Sequence, residues 1–196
     1  TVDLNTGDVE SYGLELEGSF RPTPQWTISG GFSVQRARLT DISPFTSVTG
    51  RVLASDRLPF QPDYNFSLNS DYVVPVGRGD LTFTAGVTGK GDRIAGSISE
   101  TDAPVAAAIQ PHGERVVLPE KTAPVLDSYM LVNGSITYRI GGVEVAAFVN
   151  NLFNKDYFDS YIEQTTLALA VPFLPPSDLG IIGDRRRYGV RARFRF

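Results

Sequence analysis

Few side chains in this chain are spaced for chemistry, and no set of them completes a reactive site. The only histidine, His112, lies in a long connection with no partner of metal-ligand spacing around it, and cysteine is absent, so zinc and thiolate sites are not expected. Asp3, Asp8 and Glu10 form an acidic approach to the first ordered segment but lack the spacing of a calcium loop. Gly77-Arg78-Gly79 and Gly89-Lys90-Gly91 look like phosphate loops until their context is read: no helix follows either, so no helix N-terminus can face a phosphate. Nothing resembles a Ser-His-Asp nucleophile system. The chain reads as no enzyme, with no cofactor and no metal. What remains is charge: Glu15 and Glu17 near one end, Arg187, Arg191, Arg193 and Arg195 near the other. Asp184 to Arg187 form a cluster that fits either contact with an anionic ligand or lipopolysaccharide, or a plain charged rim.

The elements that carry these charges are strands. Hydrophobic residues make up 41% and charged residues 20%, the balance of an ordinary soluble protein. The longest apolar run, Leu167 to Leu174, is broken by Pro172, far short of the roughly 20 residues that a spanning helix needs. A membrane barrel stays open, because only every second residue of its strands meets lipid. A net charge of −4 argues against a nucleic-acid partner, which requires a basic surface.

Period-two alternation recurs seven times. Tyr12, Leu14, Leu16, Gly18 and Phe20 alternate with Gly13, Glu15, Glu17 and Ser19. Trp26 to Val34, Tyr64 to Tyr72, Leu81 to Val87, Met130 to Tyr138 and Val143 to Val149 follow, the last less regular because Phe148 falls on the opposite face. The seventh sets Tyr188, Val190, Ala192, Phe194 and Phe196 against Arg187, Gly189, Arg191, Arg193 and Arg195. Residues 21–25, 75–80 and 141–142 are tight turns rich in Pro and Gly; between them lie long connections at 40–60, 91–126 and 154–183. Regular alternation of short and long links is the pattern of a transmembrane barrel, with short periplasmic turns and longer extracellular loops. On that orientation Phe20, Trp26, Tyr72, Tyr138 and Phe196 gather at the periplasmic end and Tyr12, Tyr64 and Tyr188 at the other, as two interfacial girdles require.

The last strand decides which face meets lipid. An arginine on the lipid face costs about 2–4 kcal/mol at mid-membrane and little at the interface, so turning all four outward would cost on the order of 5–10 kcal/mol. The arginines therefore face the lumen, as do Glu15 and Glu17. Seven strands cannot close alone, since bacterial single-chain barrels have even numbers from about 8 upward, and an open sheet would leave two unpaired edges in hydrocarbon. With no initiator Met and no signal segment at Thr1, the chain is expected to be the C-terminal part of a longer protein, with Phe196 as its natural end.

Four segments carry a resemblance to a family. Val149-Asn150-Asn151-Leu152-Phe153-Asn154-Lys155-Asp156-Tyr157 resembles the NLF-(N/D)-K-x-Y segment of TonB-dependent receptors. Gly183 to Val190 is similar to their G-x-x-R-x-Y-G-V, here with Tyr188 and Gly189. Arg193-Phe194-Arg195-Phe196 resembles their terminal aromatic strand, and Ser11 to Glu17 their S-x-G-(V/L)-E-x-E strand. The resemblance implies an all-β, antiparallel up-and-down barrel of about 22 strands in the outer membrane, its lumen filled by an N-terminal plug, of which this chain would be the last seven strands. It implies a receptor that imports a scarce nutrient, most often a ferric siderophore, when the TonB complex pulls on a plug that this chain lacks. Glu15, Glu17, Arg187 and Arg191 become candidates for contact with the plug. Phe194 and Phe196 resemble the signal read by the barrel-assembly machinery, for which β-augmentation by a free strand edge supplies the physical basis. Phe45, Phe60, Tyr157, Phe158 and Tyr161 fall in the long connections, where they would either contact a ligand or pack the loops on one another. Outer-membrane lipids complete the expected partners. A passive porin-type barrel and a soluble β-sandwich binding module remain as alternatives.

Overall fold

The computed structural model describes residues 7–41, 55–95, 125–162 and 179–195. Eleven strands occur among them: β1 (Asp8–Thr23), β2 (Trp26–Asp41), β3 (Tyr64–Val76), β4 (Gly79–Lys90), β5 (Arg93–Ile94), β6 (Val125–Leu126), β7 (Tyr129–Ile140), β8 (Val143–Asn150), β9 (Phe158–Ile162), β10 (Leu179–Ile182) and β11 (Arg187–Phe194). Seven of them form one sheet in the order β1-β2-β3-β4-β7-β8-β11, with every neighbouring pair antiparallel. These are the seven segments with period-two alternation. β5–β6 and β9–β10 make two small separate pairs inside the second and third long connections.

Two of the three short links close more tightly than the sequence suggests, and the third is the expected Gly141-Gly142 pair. β1 continues to Thr23, which pairs with Trp26, and β3 continues to Val76, which pairs with Gly79. Each turn is therefore two residues: Pro24-Gln25, Gly77-Arg78 and Gly141-Gly142. Gly77 and Gly141 take φ of +63° and +54°, a conformation that two-residue hairpins favour and a side chain resists. Pro22 sits where the β1–β2 register slips, a place where a missing N–H removes no ladder bond.

Register carries each face intact across the sheet, because directly paired residues point the same way. One row runs Leu14–Val34–Tyr64; another runs Leu16–Phe32–Phe66; a third runs Trp26–Tyr72–Phe83–Ile136–Ala147–Val190. This face is apolar from β1 to β11 and uncovered: Leu14, Leu16, Leu68, Ile136, Val190 and Phe194 are between 49% and 74% exposed. The buried apolar residues among those described are only Ala37, Ile94, Ala95, Leu126 and Ala146, so no second layer packs on the sheet there. A soluble sandwich buries one face of each sheet against the other; a water-exposed apolar face of this extent would far exceed the few hundred Å² that soluble monomers tolerate. The arrangement suits hydrocarbon.

The aromatic ends agree. At the tight-turn end the Trp26 indole Nε1 donates to Ser70 Oγ at 2.9 Å and the Tyr138 hydroxyl donates to the Val76 carbonyl at 3.2 Å, so each polar tip is satisfied while its ring lies on the apolar face. At the opposite end Tyr12 and Tyr188 stand out from the sheet, 59% and 80% exposed. Phe196 lies outside the described residues.

Candidate functional site

The second face is mostly polar, with Val73, Leu131, Ala146 and Phe148 among its apolar members, and it is where the sequence-selected charges fall. Glu15 pairs with Ser33 and Glu17 with Gly31; because Gly31 lacks a side chain, the Glu17 chain lies across it. At the far edge Arg187 pairs with Asn150, Arg191 with Ala146 and Arg193 with Glu144. The sheet does not bring the acids and the arginines together: β1 and β11 are its two edges, separated by six strand spacings of about 4.8 Å each. Between them stand amides and hydroxyls, with Thr84 Oγ1 donating to Asp71 Oδ1 at 2.6 Å. A concave hollow of about 860 Å³ opens on this face, lined among others by Asn69, Thr84, Asn133, Asn150, Arg187 and Arg191.

Phe148, the residue that breaks alternation in β8, has a structural explanation on this face. It pairs with Gly189, its ring fills the space that a side chain at Gly189 would take, and the Arg191 guanidinium lies 5.9 Å from its centroid. That cation–π contact and the Arg187–Asp184 ion pair at 2.6 Å hold two of the arginines over the hollow. Near the turn Glu144 receives Arg139 at 2.8 Å and Arg193 at 3.9 Å.

The Asn151-Leu152-Phe153 segment turns out to be a knot tying three strands. Asn151 is buried, 4% exposed, with φ +50°, a left-handed conformation that asparagine accepts better than most residues. Its side chain is used to the full: Oδ1 accepts the Lys155 N–H at 2.8 Å, and Nδ2 donates to the Lys155 carbonyl at 2.9 Å and the Asp184 carbonyl at 3.0 Å. Its backbone N–H donates to Asn133 Oδ1 on β7 at 2.9 Å. The Leu152 N–H donates to the Val132 carbonyl, and Asn154, also at positive φ, accepts the Arg186 N–H on Oδ1 at 2.9 Å. One turn thus joins the end of β8 to β7 and to the approach of β11. Phe153 contributes little buried surface, being 72% exposed.

Tyr157 is packed rather than projecting. Its ring lies against Gly183, leaving no room there for a Cβ, and 4.3 Å from the Tyr129 ring; its carbonyl accepts the Gly183 N–H at 2.8 Å. Burial, then the neighbouring Tyr129 and Asp159, raise its hydroxyl above the ordinary tyrosine range. Phe158 rests on Gly180 and stays half exposed. Tyr161 is half-buried on β9. Phe60 is exposed, at φ +60°, and its N–H donates to the Ile94 carbonyl at 2.8 Å. Phe45, His112 and Asp3 lie outside the described residues.

Two features escaped sequence reasoning. One is an ion network at the feet of the loops, in which Arg38 and Arg57 share Asp63 at 3.2 and 3.7 Å and Arg57 also meets Asp92 at 2.8 Å. The other is Arg93, an unremarked cation in a long connection by sequence and a fully buried one in the fold. Arg57–Asp63 apart, these partners lie 25 to 66 positions away along the chain, beyond the reach of any local pattern.

Comparison with known proteins follows the same lines. Residues 1–152 match the family model described as TonB dependent receptor-like, beta-barrel. No curated protein matches by sequence. Among solved structures, the ferric yersiniabactin uptake receptor FyuA from Yersinia pestis superposes with a TM-score of 0.69 at 19% identity, over 98% of this chain and 24% of that one. The ferric-catecholate import receptor Fiu from E. coli K12 gives 0.64 at 22% identity, over 96% and 21%. BauA, the ferric preacinetobactin receptor from Acinetobacter baumannii, gives 0.63 at 16% identity, over 96% and 22%. The likeness is one of fold, and the chain spans about a quarter or less of each of these proteins.

Proposed function

We propose, from the premise that this chain belongs to the TonB-dependent receptor-like β-barrel family, that it works as the C-terminal wall of an outer-membrane receptor that actively imports a scarce nutrient, with a ferric siderophore as the substrate class. The observation that carries the reading is the sheet's division into a continuous apolar face and a predominantly polar one with charges at its edges. Such a sheet needs hydrocarbon on one side and a polar filling on the other, and its edge strands β1 and β11 need further strands to pair with in a membrane. The rest of a barrel of about 22 strands meets the second need and a plug domain the first.

On this reading the lumen hollow beside Arg187 and Arg191 receives acidic or carbonyl groups of the plug, and Glu15 and Glu17 receive plug arginines. Charge-assisted pairs of this kind are strong while formed and are lost together when the plug is pulled. Phe194, 62% exposed on the last strand, and Phe196 would present the assembly machinery with its pairing signal. The chain itself has no catalytic role in this scheme.

The test is uptake by cells expressing the full-length receptor, using a panel of radiolabelled ferric siderophores with TonB present or deleted. Accumulation of at least one siderophore that vanishes without TonB, and drops several-fold in a Glu15→Ala, Glu17→Ala double variant that still reaches the membrane, is the expected result. Accumulation indifferent to TonB would identify a passive barrel and sink the reading.

A further inference from the structure

Arg93 has the largest fully buried side chain among the described residues, 2% exposed, yet it stands in a connection outside the main sheet. A buried guanidinium is costly unless its donors and charge are answered. Here Nη2 donates to the Phe158 and Asp159 carbonyls, both at 2.9 Å, and the cation lies 5.6 Å from the Tyr129 centroid. Tyr129 in turn stacks on Tyr157, the residue that leads into β9. Nη1 finds no hydrogen-bond acceptor among the described residues, so the charge is held by carbonyls and rings.

Its neighbours along the chain reach the other connections. Arg93 pairs with Leu126 across β5–β6, the Ile94 carbonyl accepts the Phe60 N–H at 2.8 Å, and Asp92 receives Arg57 at 2.8 Å. Three consecutive residues thereby touch the feet of all three long connections. Only one of these ties joins the second connection to the third, and it is the Arg93 side chain.

We infer that Arg93 is a positioning residue that fastens the β9–β10 pair to the β5–β6 pair, so that the two strand pairs behave as one body. The planar fork explains the residue type: one guanidinium nitrogen carries two donors and reaches two adjacent carbonyls while the face of the group lies on a ring. A lysine ammonium offers the same charge without that shape. The fastening does not depend on the transport reading above.

Because this chain has no cysteine, spin labels can be placed singly in the full-length receptor once any cysteine elsewhere is replaced. Labels at Val125→Cys on β6 and Ile181→Cys on β10, both exposed, report the two loop pairs, and labels at Leu14→Cys and Val190→Cys report the main sheet. With Arg93 present, both electron–electron distance distributions should be narrow. In Arg93→Met, which keeps the apolar stem, the β6–β10 distribution should broaden at least twofold while the Leu14–Val190 distribution stays unchanged; Arg93→Lys should fall between. Where Arg93→Met fails to assemble, Arg93→Lys is read by the same two distances. An unchanged β6–β10 width overturns the inference, and so does equal broadening of both pairs, which would make Arg93 a residue of the whole fold. The readout needs no ligand, so a receptor that imported nothing would leave it intact.

Discussion

Removing the Asn151 side chain should loosen the turn after β8 from the approach to β11, and the cost can be built from its contacts. Asn151→Ala deletes three hydrogen bonds, one to the Lys155 N–H and two to the Lys155 and Asp184 carbonyls. At about 0.5–1.5 kcal/mol each, the loss is about 1.5–4.5 kcal/mol. Alanine must also hold φ +50°, which costs an L-residue without a local polar side chain about 1–2 kcal/mol. Lys155 and Asp184 are exposed, so water replaces part of what is lost, and the sum settles near about 3 kcal/mol. Asn151→Gly loses the same bonds but not the backbone term, and should recover about 1 kcal/mol of that. The assay is urea unfolding of the full-length protein in lipid vesicles, followed by the folded-to-unfolded band shift on unheated gels. An Asn151→Ala protein within about 0.5 kcal/mol of wild type, an effect no larger than an ordinary surface substitution, would refute the reasoning. A glycine variant less stable than the alanine one would refute the backbone part of it.

Two further substitutions probe the faces and the loop packing. Leu68→Arg places a guanidinium on the apolar face at mid-strand and should cost about 2–4 kcal/mol in bilayers, whereas Asn69→Arg, one residue on and facing the lumen, should cost almost nothing; equal costs by vesicle unfolding would mean the faces are misassigned. Gly183→Ala puts a methyl into the Tyr157 ring and should destabilise by about 1–3 kcal/mol through overpacking. That loss should largely disappear in a Tyr157→Ala background, and a double-mutant cycle with no coupling between the two sites would show the contact to be irrelevant.

The resemblance to a receptor family marked Asn151, Leu152, Phe153, Tyr157, Tyr188 and Gly189 as belonging together without saying why. The fold gives a structural part to four of them. Asn151 is a junction, Tyr157 a spacer between Gly183 and Tyr129, and Gly189 a gap filled by Phe148. Tyr188 is an interfacial ring. Asn151 and Tyr157 tie the strand ends together at the outer rim, whereas Phe153 and Tyr188 stand exposed there.

What the chain determined by itself was every property that depends on pleat and turn. Side chains of a strand alternate faces at a period of two, so Leu14 and Glu15 are assigned to opposite sides before any fold is known, and the glycines around positions 77 and 141 announce tight turns through the backbone they permit. The seven strands, their facing and their antiparallel neighbours follow from that local geometry. Tertiary structure alone decided the rest. β5 and β6 have two residues each and β9 and β10 four or five, too short for alternation to show. Asn151 meets Asp184 and Asn133 across 33 and 18 positions, and Arg93 meets Asp159 across 66. Those contacts exist only because the sheet's register brings distant segments to one rim, and burial there turns an ordinary loop asparagine and arginine into the residues on which the rim depends.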